Sequence, residues 1–415
     1  MNTICVVGGK KLEGSICLQG SKNAALPILA AALLVEGVSV LENCPQIADV
    51  CEMLEILRGM GCEVWQENSN LHIKAPAVLD AHIAREHVIS MRSSVMLLGV
   101  VLSKNGAVSM EYPGGCVIGA RPVDMHIFGL TQMGCVFENN STMLCAKVKK
   151  LHGADICLNF PSVGATENII LAAVKAGGIT NIRGAAKEPE IVHLCDFLNM
   201  CGAKIKGAGT DCICIEGVSK LYACRYKIPA DRIVAGTYLM SALVTKGSVL
   251  LKNAPVCELS SVLYTLKKMG AYISCRENEV YIAYDKPLRT LDLETKVYPG
   301  FPTDLQSPMV VLLSQAEGIG SVKENIYENR FRIVTELEKM GARIMLNDNM
   351  VKIWGPERLQ GNVVEAKELR GNAALIMAGL AAEGETTVCG CQYVKRGYED
   401  ICRDLKSLGA IIYEK

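Results

Sequence analysis

The 415-residue chain lacks most of the signals that reveal a function directly. Its 43 Lys and Arg match its 43 Asp and Glu, so no net field favours nucleic acid or an anionic membrane. Any cationic site must be local. The 19 cysteines include no C-x-x-C; the close pairs are Cys212/Cys214 and Cys389/Cys391. Zinc ribbons and thioredoxin-type motifs are therefore unsupported. Many cysteines without a framework fit a reducing compartment, where Cys serves as a small hydrophobe. The six histidines form no H-E-x-x-H. No G-x-G-x-x-G opens a helix after a strand, and Gly14–Lys22 ends Gly-Ser-Lys without the spacing of a phosphate-binding loop. The longest apolar run, Ala24–Val35, has 12 residues, too few to span a bilayer. No charged segment followed by a long apolar one opens the chain. These absences predict a soluble, cytoplasmic protein with no nucleic-acid or membrane partner.

What is present is repetition. An amphipathic helix ending in Gly, then a short strand, recurs around Gly61, Gly134, Gly202, Gly270, Gly341 and Gly409. The intervals are 73, 68, 68, 71 and 68 residues. Each Gly stands where a helix C-cap needs the left-handed conformation. Between these lies a second pattern, a more apolar helix ending at Gly37, Gly106, Gly178, Gly247, Gly318 and Gly384, followed by a strand. Each unit of near 70 residues thus holds two helices and about four strands. The first helix of each is apolar nearly all round and belongs inside; the second has a charged face and belongs outside. Six units with buried helices predict an α/β protein of two globes with three units each. The boundaries fall at 20–229 and at 1–19 plus 230–415, the short N-terminal piece completing the second globe.

Polar residues recur in one register. The starts of the six apolar helices hold Lys22-Asn23, Arg92, Gly164 (within Ser162-Val163-Gly164), Asp231-Arg232, Asp304 and Arg370. Helix N-termini attract anions, whereas a Lys or Arg there opposes the helix dipole by roughly 0.3–1 kcal/mol. That cost is understandable if a multiply charged anion occupies the site, and two facing globes would enclose a cleft rich in Lys and Arg. Tyr112–Asp124 (Tyr-Pro-Gly-Gly-Cys-Val-Ile-Gly-Ala-Arg-Pro-Val-Asp) adds a glycine turn around Cys116, with Arg121 five residues on. Nearby cations lower a thiol's pKa and raise its reactivity. A surface turn with an incidental thiol is the plain alternative.

Ser21-Lys-Asn-Ala-Ala-Leu-Pro27, Pro113-Gly-Gly-Cys116 through Asp124, and Ser162-Val-Gly-Ala-Thr166 resemble the motifs of the UDP-N-acetylglucosamine 1-carboxyvinyltransferases, the enolpyruvyl transferases. Phe301-Pro-Thr-Asp-Leu-Gln306, Glu328-Asn-Arg330 and Arg396-Gly-Tyr-Glu399 complete the match in the family's order, over nearly the whole chain. The resemblance implies two inside-out α/β domains with the active site in the cleft between them. It implies transfer of the enolpyruvyl group of phosphoenolpyruvate to the 3′-hydroxyl of UDP-N-acetylglucosamine with release of phosphate, the first committed step of peptidoglycan precursor synthesis. It needs no cofactor and no metal. By resemblance, Cys116 protonates the vinyl carbon and Asp304 is the base. Lys22, Arg121, Arg370 and Arg396 neutralise phosphate and carboxylate. Asn23, Arg92, Arg121, Pro122, Val123, Asp124, Ser162, Val163, Gly164, Ile326 and Arg330 hold the sugar nucleotide or shape its site. The other cysteines are expected to be mostly buried, and fosfomycin to alkylate Cys116. Four positions depart from many members: Ala48 where some have Lys, Met96 for an aromatic, Glu368 for Asp, and Lys395 for an acid. Alternatives are a sugar-nucleotide-binding paralogue without catalysis and enolpyruvyl transfer to a shikimate phosphate.

Overall fold

The computed structural model describes residues 3–81, 83, 88, 91–112, 118–119, 122–138 and 142–415. Contacts divide the chain into two compact units. The first comprises Gly20–Cys116 and Ala120–Pro229, and the second Met1–Gln19, Val117–Gly119 and Ala230–Lys415. Each has its own continuous apolar core.

Six inner helices form those cores: α1 (Lys22–Ala32), α2 (Leu97–Asn105) and α3 (Val163–Ala173) in the first unit, and α4 (Arg232–Val244), α5 (Gln306–Ser314) and α6 (Leu369–Ala381) in the second. All 13 residues of α4 are buried, as a helix apolar on every side requires. The outer helices follow a different rule. Ser260–Met269 buries Val262, Thr265, Leu266 and Met269, one face at 3.6-residue spacing, and turns Lys267 and Lys268 outward.

Among the described residues there are six small sheets, five of four strands and one of three. The four-stranded ones share a plan. The strand after the inner helix pairs in parallel on one side and antiparallel on the other, and the antiparallel neighbour forms a second antiparallel pair beyond. Val38–Glu42 pairs in parallel with Arg225–Lys227 and antiparallel with Asn70–Lys74. The last strand of the first unit thus joins the sheet of its first repeat. The N-terminal 19 residues are used similarly. Glu13–Cys17 is the parallel partner of Ser248–Lys252, whereas Thr3–Val7 lies between Glu385–Cys389 and Ile411–Glu414, antiparallel to both. Strand alternation sets the faces: in Cys212–Glu216, Ile213 and Ile215 point to the core.

The six glycines that end the outer helices all have positive φ, between 91° and 109°. The inner set differs at one place. Gly247 is absent from the left-handed region; Lys246 takes it instead, at φ 56°. Gly247 is needed for another reason, because a Cβ there would stand 2.1 Å from the Leu12 carbonyl oxygen.

Candidate active site

In the first unit, Lys22, Asn23, Arg92, Ser162, Val163 and Gly164 sit on the leading ends of inner helices or just before them. Lys22 opens α1, behind Ser21, whose hydroxyl accepts the Ala24 N–H at 3.3 Å and caps the helix. Lys22 Nζ lies 3.4 Å from Asp49 Oδ2, a carboxylate buried in the first turn of the outer helix Ala48–Gly59. The cation at this helix start is thus matched by a protein carboxylate. Asn23 is half-buried beside it. Arg92 begins a 3₁₀ turn, Arg92–Met96, that leads into α2 and carries buried Met96.

Ser162 caps α3 by accepting the Ala165 N–H at 3.4 Å, leaving Val163 and Gly164 as its first residues. The His126 imidazole lies against this end; a Cβ on Gly164 would stand 3.2 Å from it. His126 belongs to the helix Asp124–Gln132, preceded by exposed Pro122 and buried Val123. Cys116 and Arg121 lie outside the described residues.

The second unit builds an ion cluster around Asp304. Pro302 leads into a single 3₁₀ turn, Thr303–Leu305, immediately before α5. Asp304 Oδ1 accepts from Arg330 Nη2 at 2.6 Å, and Oδ2 accepts from Arg370 Nε at 3.1 Å and Nη2 at 2.8 Å. The arginine side chains are 2% and 4% exposed, and that of Asp304 is 26% exposed. Burial pulls both guanidinium pKa values down, but the surrounding anionic groups, Asp304 foremost, together outweigh it and hold both above the ordinary value. Arg370 is the second residue of α6, whose cap is Glu368. The Glu368 carboxylate accepts the Arg370 N–H at 2.7 Å and also the Gly371 N–H. The longer acid is therefore accommodated as a helix cap.

Arg330, expected to hold the sugar nucleotide or shape its site, has an enclosed side chain with its guanidinium over the Tyr327 ring at 5.3 Å. Its place is behind Asp304. Ile326 is half-buried, and its N–H donates to Glu324 Oε1 at 2.8 Å. Sequence reasoning missed Glu324. It is 2% exposed and also accepts from Tyr327 N at 3.2 Å and Thr303 Oγ1 at 2.8 Å. It joins the loop bearing Ile326 and Arg330 to the turn bearing Asp304. The signal available in sequence was one Glu after an apolar strand, indistinguishable from a surface acid. In the same unit the Asn329 N–H donates to the Ile118 carbonyl at 3.1 Å. Arg396 is half-buried after the short helix Cys391–Val394, and neighbouring Lys395 turns to Glu414 at 2.9 Å.

The cysteine expectation fails. Of the 18 described free cysteines, seven are buried, and Cys17, Cys51, Cys157, Cys212, Cys257 and Cys275 are exposed. Three of the exposed ones, Cys17, Cys157 and Cys212, lie on strands at positions that face away from the core. Among the buried thiols, Cys62 and Cys135 are pushed up to about 11 and Cys195 to about 12, chiefly by burial.

No described helix is long and apolar enough to cross a membrane. The chain is 45% identical over 413 residues to UDP-N-acetylglucosamine 1-carboxyvinyltransferase 2 of Caldanaerobacter subterraneus subsp. tengcongensis, covering 99% of each. It is 43% identical over 412 residues to UDP-N-acetylglucosamine 1-carboxyvinyltransferase of Lawsonia intracellularis, again covering 99% of each. Among solved structures, the fold is similar to the enolpyruvyl transferase NikO from Streptomyces tendae. The TM-score is 0.91 at 24% identity, over 100% of this chain and 99% of that one. It is also similar to EPSP synthase from Acinetobacter baumannii, at TM-score 0.78 and 20% identity over 100% of both chains. A sequence profile described as EPSP synthase (3-phosphoshikimate 1-carboxyvinyltransferase) matches residues 6–405, and the chain belongs to that family.

Proposed function

We propose that this protein transfers the enolpyruvyl group of phosphoenolpyruvate to the 3′-hydroxyl of UDP-N-acetylglucosamine and releases phosphate. In this reading it is cytoplasmic and supplies the first committed intermediate of peptidoglycan synthesis. The full-length similarity to relatives bearing that enzyme name supports the acceptor. The observation that carries the chemistry is Asp304, a partly exposed carboxylate held by two buried guanidiniums.

The reaction needs a proton delivered and a proton removed. Cys116 protonates C3 of phosphoenolpyruvate while the sugar oxygen attacks C2, and Asp304 accepts the hydroxyl proton. The adduct is a tetrahedral phospho-ketal. Loss of a C3 proton and departure of phosphate with its bridging oxygen restore the double bond, now in an enol ether. Lys22, Arg121, Arg370 and Arg396 balance the phosphate and carboxylate charges, as fixed cations do where charge develops. Asn23, Arg92, Pro122, Val123, Asp124, Ser162, Val163, Gly164 and Ile326 bind the sugar nucleotide. Arg330 acts one step back, orienting Asp304.

The test is acceptor dependence. With phosphoenolpyruvate present, phosphate release should require UDP-N-acetylglucosamine and should not occur with 3-phosphoshikimate. Release with 3-phosphoshikimate alone would move the chain to the other branch of its family. Tight nucleotide binding without release would make it a non-catalytic binder.

A further inference from the structure

The inner helix that follows Arg92 is broken, and the break has a visible cause. Residues Arg92–Met96 form a 3₁₀ turn and Leu97–Asn105 an α-helix. In an uninterrupted α-helix the Gly99 N–H would donate to the Val95 carbonyl, four residues back. Here both groups are engaged by one side chain from α3. Asn168 Oδ1 accepts the Gly99 N–H at 2.6 Å, and Asn168 Nδ2 donates to the Val95 carbonyl at 2.9 Å. The amide thus spans the two groups that a continuous helix would join to each other. A side chain inserted into the i→i−4 ladder is a recognised cause of a helix kink, and a 3₁₀ stretch beside an α-helix often marks a functional position.

The rest of the packing is built around this insertion. Asn168 is fully buried, so its polar atoms need partners. Residue 99 must be Gly, since a Cβ would meet the Asn168 main-chain oxygen at 2.3 Å and Oδ1 at 2.6 Å. The amide orientation follows from its partners: only Oδ1 can face an N–H and only Nδ2 a carbonyl. Nδ2 also lies 3.0 Å from His126 Nδ1, which must then accept and leave the imidazole proton on Nε2. One asparagine therefore links three elements: the turn that begins with Arg92, the helix that begins with Asp124, and α3, which begins beyond Ser162. All three starts carry residues assigned above to the sugar nucleotide.

We infer that Asn168 is a positioning residue for Arg92: by inserting its amide into the helix at Val95 and Gly99, it sets the direction of the turn that presents the Arg92 guanidinium to the sugar nucleotide. Asn168 touches no substrate in this account. The inference rests on the assignment of Arg92 to nucleotide binding, and the experiment separates the two.

The variant is Asn168→Leu, which keeps the branched side-chain skeleton and has no polar atoms. Val95 and Gly99 can then bond to each other, so no main-chain group at the break is stranded. Its crystal structure should show residues 92–105 as one continuous helix with the Arg92 side chain displaced. Turnover at saturation should stay within a few-fold of wild type, while KM for UDP-N-acetylglucosamine rises on the order of 10- to 100-fold. Arg92→Ala should raise the same KM. The double variant should rise by clearly less than the product of the two single effects, because both remove one interaction. A helix still broken at Met96 in the variant, or effects that multiply, would overturn the inference. A wild-type KM in Arg92→Ala would instead remove Arg92 from the binding residues, leaving the crystal structure to judge the insertion by itself. Should Asn168→Leu not fold, Asn168→Asp serves. It keeps an acceptor for Gly99 but cannot donate to Val95, and the same sub-multiplicative pattern is expected.

Discussion

Replacing Asp304 by Asn tests two roles of one carboxylate. The shape is kept, but the charge is lost and one oxygen becomes a donor. Whichever way the amide turns, an NH₂ faces a guanidinium, either Arg330 Nη2 or the Nε and Nη2 of Arg370. Both arginines are almost fully enclosed, so neither charge can be recovered by water. Breaking a buried pair by removing one partner costs about 3–5 kcal/mol. For a unit of about 200 residues, each kcal/mol shifts Tm by about 2–4 °C, so the melting of the second unit should fall by roughly 6–20 °C. Inorganic phosphate should reverse part of this, since an anion bound only by the folded state contributes about 2.7 kcal/mol at a hundredfold excess over Kd. Turnover should fall by about 10²–10⁴-fold, the usual share of a general base. Calorimetry with and without phosphate, together with steady-state rates, reads both effects. An unchanged Tm would mean that Asp304 is not the counter-ion of the two arginines. Turnover above a tenth of wild type would remove it as proton acceptor.

Further expectations concern thiols, caps and a buried acid. Fosfomycin should form one adduct, on the Cys116 peptide, faster with UDP-N-acetylglucosamine present. Six of the described thiols are exposed, so labelling of Cys17 or Cys257 at a similar rate would show that exposure alone governs the reaction. Glu368→Ala removes the cap of α6 and should cost about 0.5–2 kcal/mol in thermal melting, whereas Lys395→Ala, which loses only an exposed pair with Glu414, should change stability by less than about 1 kcal/mol. Burial first, then Glu190 and Glu188, raise the pKa of Glu167 well above 4.5. A raised carboxyl pKa means that the folded state holds the proton more tightly than the unfolded one. Wild-type stability is therefore lost as pH climbs from the unfolded value, about 4.3, toward the folded one. Glu167→Gln should be the more stable form at pH 8, with the gap closing by pH 4. A constant gap across that range would contradict the assignment.

The repeats were legible because they rest on backbone requirements. A helix that must stop and reverse needs a left-handed residue, and Gly supplies it at Gly61 and its five counterparts. The inner helices were legible because a helix without a polar face has only one place to go. Gly247 shows where this reading stops: its smallness serves the close approach of the Leu12 backbone, while Lys246 makes the turn. The charged residues at inner-helix starts were visible as a register, but their partners were not. Nothing in sequence pairs Lys22 with Asp49, or Asp304 with both Arg330 and Arg370, because these contacts join separate elements. Glu324 and Asn168 were missed for the same reason. A single polar residue in an apolar stretch has no period, and its meaning depends on what faces it across the core. The exposed cysteines misled in the opposite sense: composition argues for burial, whereas strand alternation turns Cys157 and Cys212 outward.

The central claim is addition followed by elimination at the vinyl group, and solvent isotope reads it directly. The protein should be incubated with phosphoenolpyruvate and UDP-N-acetylglucosamine in D₂O, and the sugar nucleotide analysed by mass spectrometry and proton NMR. The account predicts one enol ether formed per phosphate released, with deuterium on its vinyl carbon, because that carbon is protonated and deprotonated in each turnover. Phosphate released without the enol ether, or an enol ether free of deuterium, would contradict it.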